Sequence, residues 1–287
     1  MIKPAVSLAA ISLSAGTLCL AWPALAQDAA PIGPPAGVAA PRSGDQITLG
    51  FGLGAAPDYE GSDDYRLQPG GVVQGRVGGI DFQMRGLNLY TDLVPDQPGS
   101  KVRLVLGPVI QLRPERNDAI DDPRVEQLGR RKTAVELGAN LGVSFRGVLI
   151  PPASLSIELA YLRDVAGAHR SHSLTPSVAL SSPLSQRSFA RLALSAEHVG
   201  AGFARTYYDV GPGNTLAPYR TNGGGWKSAS TSLLYTRDLG GDPRRGLGLF
   251  TLANYKRMLG KFAASPVVRD AGSANQAFAV AGVLYAF

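Results

Sequence analysis

From Gln46 onward the chain alternates apolar residues with small or polar ones at a period of two. Ile47, Leu49, Phe51 and Leu53 alternate with Thr48, Gly50, Gly52 and Gly54. Val102, Leu104, Leu106, Pro108, Ile110 and Leu112 alternate with Arg103, Val105, Gly107, Val109 and Gln111. Val135, Leu137, Ala139, Leu141, Val143 and Phe145 alternate with Glu136, Gly138, Asn140, Gly142 and Ser144. Runs of the same kind cover 66–76, 79–91, 155–161, 174–180, 191–197, 226–238, 246–258 and 276–287. Side chains along a strand point alternately to opposite faces, so each run has one apolar face and one polar face. No stretch carries the 3.6-residue period of an amphipathic helix.

A soluble β-sandwich also alternates in this way. Three features favour a closed transmembrane barrel. The runs are longer than the roughly five or six residues of an ordinary strand. Their second face is built from Gly, Ser, Thr, Ala and isolated charges, as a barrel lumen is. Long polar connections, 113–131 and 200–225, contrast with tight ones, 146–152 and 240–246. Strands in lipid must close on themselves, because hydrocarbon satisfies no backbone group. The predicted fold is therefore an all-β, antiparallel transmembrane β-barrel over residues 46–287.

Eleven runs are visible, whereas two termini on the same side require an even number. Alternation breaks at Gly86: Ile80, Phe82 and Met84 share one parity, and Leu87 and Leu89 take the other. Splitting 79–93 into two short strands gives twelve, with ten as the alternative. The last run ends on Val283, Tyr285 and Phe287, all on one face. It is expected to close the barrel, placing these residues in a periplasmic aromatic girdle and in the strand that barrel assembly machinery reads.

The N-terminus adds a destination. Lys3 precedes an apolar stretch, Ala5 to Trp22, and Ala24-Leu25-Ala26 forms a cleavage site. Residues 1–26 are expected to be a secretory signal peptide cut after Ala26, and 27–45 a flexible leader rich in Pro, Ala and Gly. The single cysteine, Cys19, lies in the signal peptide, so the mature chain needs no disulfide. Charged residues make up only 17% of the chain, against 45% hydrophobic, which argues against disorder. The net charge of +6 comes without a long basic run, and no nucleic-acid partner is expected.

Strand parity puts Asp81, Glu136, Glu158 and Glu197 in the lumen with Arg85, Arg103, Arg191 and Lys256. Four acids against four bases predict a paired interior rather than a charge-selective pore. The acidic segment from Pro57 to Tyr65 reads as a solvated turn, with a specific contact site as the sharper alternative. His169, Ser171, His172 and Ser173 would suit an acyl hydrolase only with an orienting group and an oxyanion site, and neither is evident. His198 has no partner in sequence. Tyr207, Tyr208, Tyr219 and Trp226 are expected in the interfacial belt, and Phe203, Arg205 and Arg220 near lipopolysaccharide. No catalytic, metal or cofactor site is expected.

Several stretches resemble the MipA/OmpV outer-membrane family. "PDYEGSDDY" is similar to its first-loop motif, carried here by Pro57, Tyr59, Gly61, Ser62, Asp64 and Tyr65. "LGRRKTAVELGA" (128–139) and "YKRMLGKFAASPVV" (255–268) resemble later family segments. The resemblance implies a non-enzymatic barrel in the outer membrane of a Gram-negative cell, among outer-membrane lipids and lipopolysaccharide. It further implies a scaffold joining a lytic transglycosylase to a peptidoglycan synthase. A small-solute porin is the alternative, and an adhesin or an acyl hydrolase is less favoured.

Overall fold

The computed structural model describes residues 45–97, 99–118, 120–147, 151–240 and 245–287. The expected signal peptide, its cut after Ala26 and nearly all of the leader fall outside them. The described residues form a closed barrel of twelve antiparallel strands, each paired with its neighbours in chain order. They are β1 (Gln46–Pro57), β2 (Tyr65–Val77), β3 (Ile80–Arg85), β4 (Asn88–Asp92), β5 (Val102–Arg113) and β6 (Ala134–Arg146). The circuit continues through β7 (Ser154–Asp164), β8 (His172–Pro183), β9 (Ser188–Val199), β10 (Gly225–Asp238), β11 (Gly246–Met258) and β12 (Asn275–Ala286). β12 closes on β1, from Thr48 opposite Ala286 to Ala55 opposite Ala279.

The split at Gly86 is real. Gly86 sits at φ 60°, in the left-handed region that glycine enters without penalty, and turns β3 into β4. The apolar face of each strand points outward: Phe51, Leu104, Leu141, Leu159 and Leu194 are all exposed on the outer wall. Such a wall is stable only against hydrocarbon. Val283, Tyr285 and Phe287 lie on this face, with the last two rings in edge contact at 4.8 Å.

Both described ends of the barrel chain emerge beside the short connections 78–79, 93–101, 147–153, 184–187 and 239–245, the periplasmic side of such a barrel. At the other end, three long connections carry helices: α1 (Pro123–Glu126), α2 (Ala201–Tyr208), and α3 (Gly260–Ala263) with α4 (Pro266–Arg269). Apolar clusters fill the interior. One lies within the barrel wall, around Phe250, Val280 and Leu284. Two lie at the extracellular mouth, around Phe203 and around Tyr59.

Candidate functional site

The first connection, 58–64, turns into the barrel mouth. Ser62 N–H donates to Tyr59 O at 2.9 Å, and Asp64 N–H to Ser62 Oγ at 3.0 Å. Gly61 adopts φ 106°, and a Cβ there would stand 2.7 Å from Val268 Cγ2. This tight turn swings Tyr59 and Glu60 inward, so the solvated-turn expectation is corrected for both. Tyr59 is 2% exposed and donates toward Ala271 O, with Val267 O 3.2 Å away. Pro57 and Tyr65 pair across the base of the turn, and Tyr65 stays on the outer surface.

Glu60 is the hub of the mouth. Its carboxylate accepts from Lys227 Nζ, Lys256 Nζ and Tyr208 OH, each at 2.8 Å. Lys227 also pairs with Glu197 at 2.5 Å, and Glu197 with Arg113 at 3.2 Å. Arg113 pairs in turn with Glu136 at 3.0 Å, and Glu136 with His169 Nε2 at 3.0 Å. An alternating chain of charge thus crosses the mouth from β11 to the β7–β8 connection. Lys227 and Glu136 are both 0% exposed, while the Lys256 end of the chain is only partly buried. Burial alone would raise Glu60; the Lys227 and Lys256 ammoniums, with Arg113, hold it well below the ordinary carboxylate range.

Above this chain lies a lid of side chains. α2 presents Phe203, Ala204, Tyr207 and Tyr208 on one face, and all four are buried. The Phe203 ring sits 4.9 Å from both the Arg113 guanidinium and Lys227 Nζ, and 5.1 Å from the His169 ring. Arg116 and Arg131 donate to the last carbonyls of α2, at Thr206 and Tyr207, where cations are favoured. Burial, and the neighbouring Arg131, lower Arg116 to about 10. Tyr207, Tyr208 and Phe203 therefore belong to the plug, not to a lipid-facing belt or lipopolysaccharide contact. Of the aromatics expected in the belt, Trp226 is outside, in edge contact with His198 at 5.4 Å. Tyr219 donates to Lys261 O at 2.7 Å.

Two further networks lie deeper. Glu158 accepts from Asn140 at 3.0 Å and Arg85 at 3.2 Å, with Arg191 at 3.6 Å. At the periplasmic end Arg103 bridges Asp81 at 2.6 Å, Asp92 at 2.8 Å and Asp96 at 2.8 Å, and Arg76 meets Asp81 at 2.6 Å. All eight lumen charges named from parity, Asp81, Arg85, Arg103, Glu136, Glu158, Arg191, Glu197 and Lys256, thus lie in ion pairs. Arg113, two residues beyond Gln111 and of the same parity, joins them in ion pairs with Glu136 and Glu197. Glu60, in the first connection, and Lys227, beside the register shift in β10, enter the same interior. The His/Ser cluster does not assemble. His169 is committed to Glu136, His172 stacks on Tyr161 at 5.8 Å, and among the described residues neither Ser171 nor Ser173 bonds a histidine.

A closed antiparallel barrel with an apolar outer wall and a packed, salt-bridged mouth defines an integral outer-membrane protein. The chain belongs to the MipA family: the family model described as MltA-interacting protein MipA matches residues 49–287. No curated protein matches the chain in sequence. Among solved structures it is similar to an anion-selective porin from Comamonas acidovorans, at 9% identity and TM-score 0.40, over 85% of this chain and 99% of that one. It is also similar to the Pseudomonas putida toluene transporter TodX, at 9% identity and TM-score 0.34, over 88% and 92%. The outer-membrane channel DcaP of Acinetobacter baumannii matches at 10% identity and TM-score 0.36, over 86% and 99%.

Proposed function

We propose that this barrel is closed along its axis and works by interaction, as a non-enzymatic scaffold that docks peptidoglycan-synthesising and -cleaving enzymes at its periplasmic end. The observation that carries this reading is the Glu60 latch, which pins the first connection to Lys227 and Lys256 inside the mouth. A solute crossing the axis would have to break buried pairs, and removing one partner of such a pair costs roughly 3–5 kcal/mol. The family description names an interaction with MltA. The periplasmic rim fits a docking role: Lys101, Arg146, Arg187, Arg237 and Arg245 are exposed there, with Leu93, Leu184 and Leu239 exposed between them. Exposed apolar residues inside a charged rim are a recurrent interface pattern.

The scaffold reading is tested by affinity capture from detergent-solubilised envelopes. The wild-type chain is expected to recover a lytic transglycosylase. Reversing charge at Arg187 and Arg237 is expected to weaken that recovery while the barrel still folds. Failure to recover any murein enzyme would contradict the scaffold role.

A further inference from the structure

Strands β7 to β10 carry aromatic rings on the outer wall at their extracellular ends. Tyr161 stands opposite Leu174, Leu174 opposite His198, and His198 opposite Trp226. One step closer to the mouth, Arg163 stands opposite His172. The His172 ring is stacked between its neighbours, 5.8 Å from Tyr161 and 6.4 Å from His198. His198 meets Trp226 edge-on at 5.4 Å. Four rings from four adjacent strands thus form one ladder across the wall. Gly200 leaves the room for it, because a Cβ there would stand 2.9 Å from His172 Cε1. Tyr161 and Trp226 are exposed, so the ladder is an outer surface and not a core.

The surroundings of the ladder are cationic above and apolar below. Arg163 is exposed at its head, and Arg170 is exposed on the turn that joins β7 to β8. Among the described residues neither guanidinium has an ion-pair partner. The adjacent acid, Asp164, is buried, and its carboxylate accepts the backbone N–H groups of Ala166, Gly167, His169 and Arg170 at 2.7–3.0 Å. The outward faces of β6 to β12 carry no Asp or Glu among the described residues. Toward the membrane centre the same wall continues with exposed Leu159, Val178, Leu194 and Leu233. Tyr and Trp gather where hydrocarbon gives way to headgroups, so the ladder marks the outer-leaflet interface. Arginine holds a phosphate through two parallel N–H bonds, and an imidazole offers an N–H in either tautomer. Flat aromatic rings pack against the C–H faces of a sugar. The patch therefore matches an amphiphile with phosphate, sugar and acyl parts in that order.

We propose that the ladder binds the phosphorylated glycolipid of the outer leaflet, the lipid A part of lipopolysaccharide. A phosphate sits at Arg163 and Arg170, with His172 beside them. The saccharide lies across the rings from Tyr161 to Trp226, and acyl chains run down the wall over Leu159, Val178 and Leu194. The site is on the outside of the barrel, so it is independent of the Glu60 latch and of the scaffold reading.

The test is native mass spectrometry of the mature chain, refolded in detergent micelles and titrated with bisphosphorylated lipid A. Wild type is expected to prefer it about tenfold over dephosphorylated lipid A and over phosphatidylglycerol. Arg163→Gln combined with Arg170→Gln deletes the phosphate contacts and is expected to weaken lipid A binding about tenfold. Tyr161→Leu combined with Trp226→Leu removes the sugar platform and is expected to weaken it severalfold. Arg124→Gln, an exposed change on α1 away from the ladder, should leave binding at the wild-type level. Heat-modifiable gel migration reports folding, and the second double variant keeps the result decisive if the first does not fold. Equal retention of phosphatidylglycerol or of dephosphorylated lipid A, or unchanged lipid A binding in either folded double variant, would overturn the proposal. Neither result bears on conductance or enzyme capture, which test the scaffold reading separately.

Discussion

Glu60 joins two lysines and a tyrosine in a largely buried mouth, so its loss leaves two ammoniums short of a counter-charge. Glu60→Ala is expected to cost roughly 3–5 kcal/mol and to loosen the plug. Its carboxyl is held below the reference value of 4.5, so its stabilisation is complete above that pH and is lost as pH falls through the depressed value. Glu115 has the opposite sign. Burial, with Glu60 next to it, raises its pKa, while its Oε1 accepts the Glu60 N–H at 3.0 Å. The protonated form is then favoured by folding, and this contribution fades as pH rises through the raised value. Glu115→Gln keeps the acceptor and removes the charge. Thermal melts across pH should show the glutamine variant more stable than wild type at neutral pH. Glu60→Ala should be less stable at neutral pH and should converge on wild type in acid. Glu60 was not legible in the sequence. It lies in an acidic run that resembles a solvated turn, and its lysines are 167 and 196 residues away.

At the scale of elements, the strands were legible because lipid on one side imposes a strict period of two. The short β3–β4 hairpin was legible from the parity break at Gly86. Parity failed where a bulge intervenes. Between Trp226 and Ser228 the register of β10 against β9 shifts, so Lys227 and Ser228 both turn inward. Period-two counting cannot follow such an insertion. The helices of the plug were missed because they are short and take their stability from contacts across the mouth rather than from local pattern. The closing seam makes its own prediction. Gly52 faces Gly282 across β1 and β12, and a Cβ on Gly282 would stand 2.2 Å from Phe51 O. Gly282→Val is expected to force the seam apart and cost about 1–3 kcal/mol or more. Loss of the compact, heat-modifiable gel band would report it. Deleting Phe287 removes its N–H bond to Ile47 O at 2.9 Å and the end of the outward aromatic face. The amount of folded barrel in the outer membrane is expected to fall, as measured by surface protease resistance.

At the scale of the whole molecule, the interior is divided by chemistry. Charge pairs close the extracellular mouth and line the β3–β9 side, and an apolar strip lines the side formed by β1, β2 and β10–β12. The outer wall is predominantly apolar, and the periplasmic rim exposes several basic residues. This arrangement suits a barrel that blocks axial flow and presents surfaces to lipid and to partners. The most direct measurement is planar-bilayer conductance of the refolded mature chain, compared with Glu60→Ala at neutral pH. Wild type should be silent and the variant should show discrete openings. Stable openings in the wild type would contradict the closed axis and favour a small-solute channel instead.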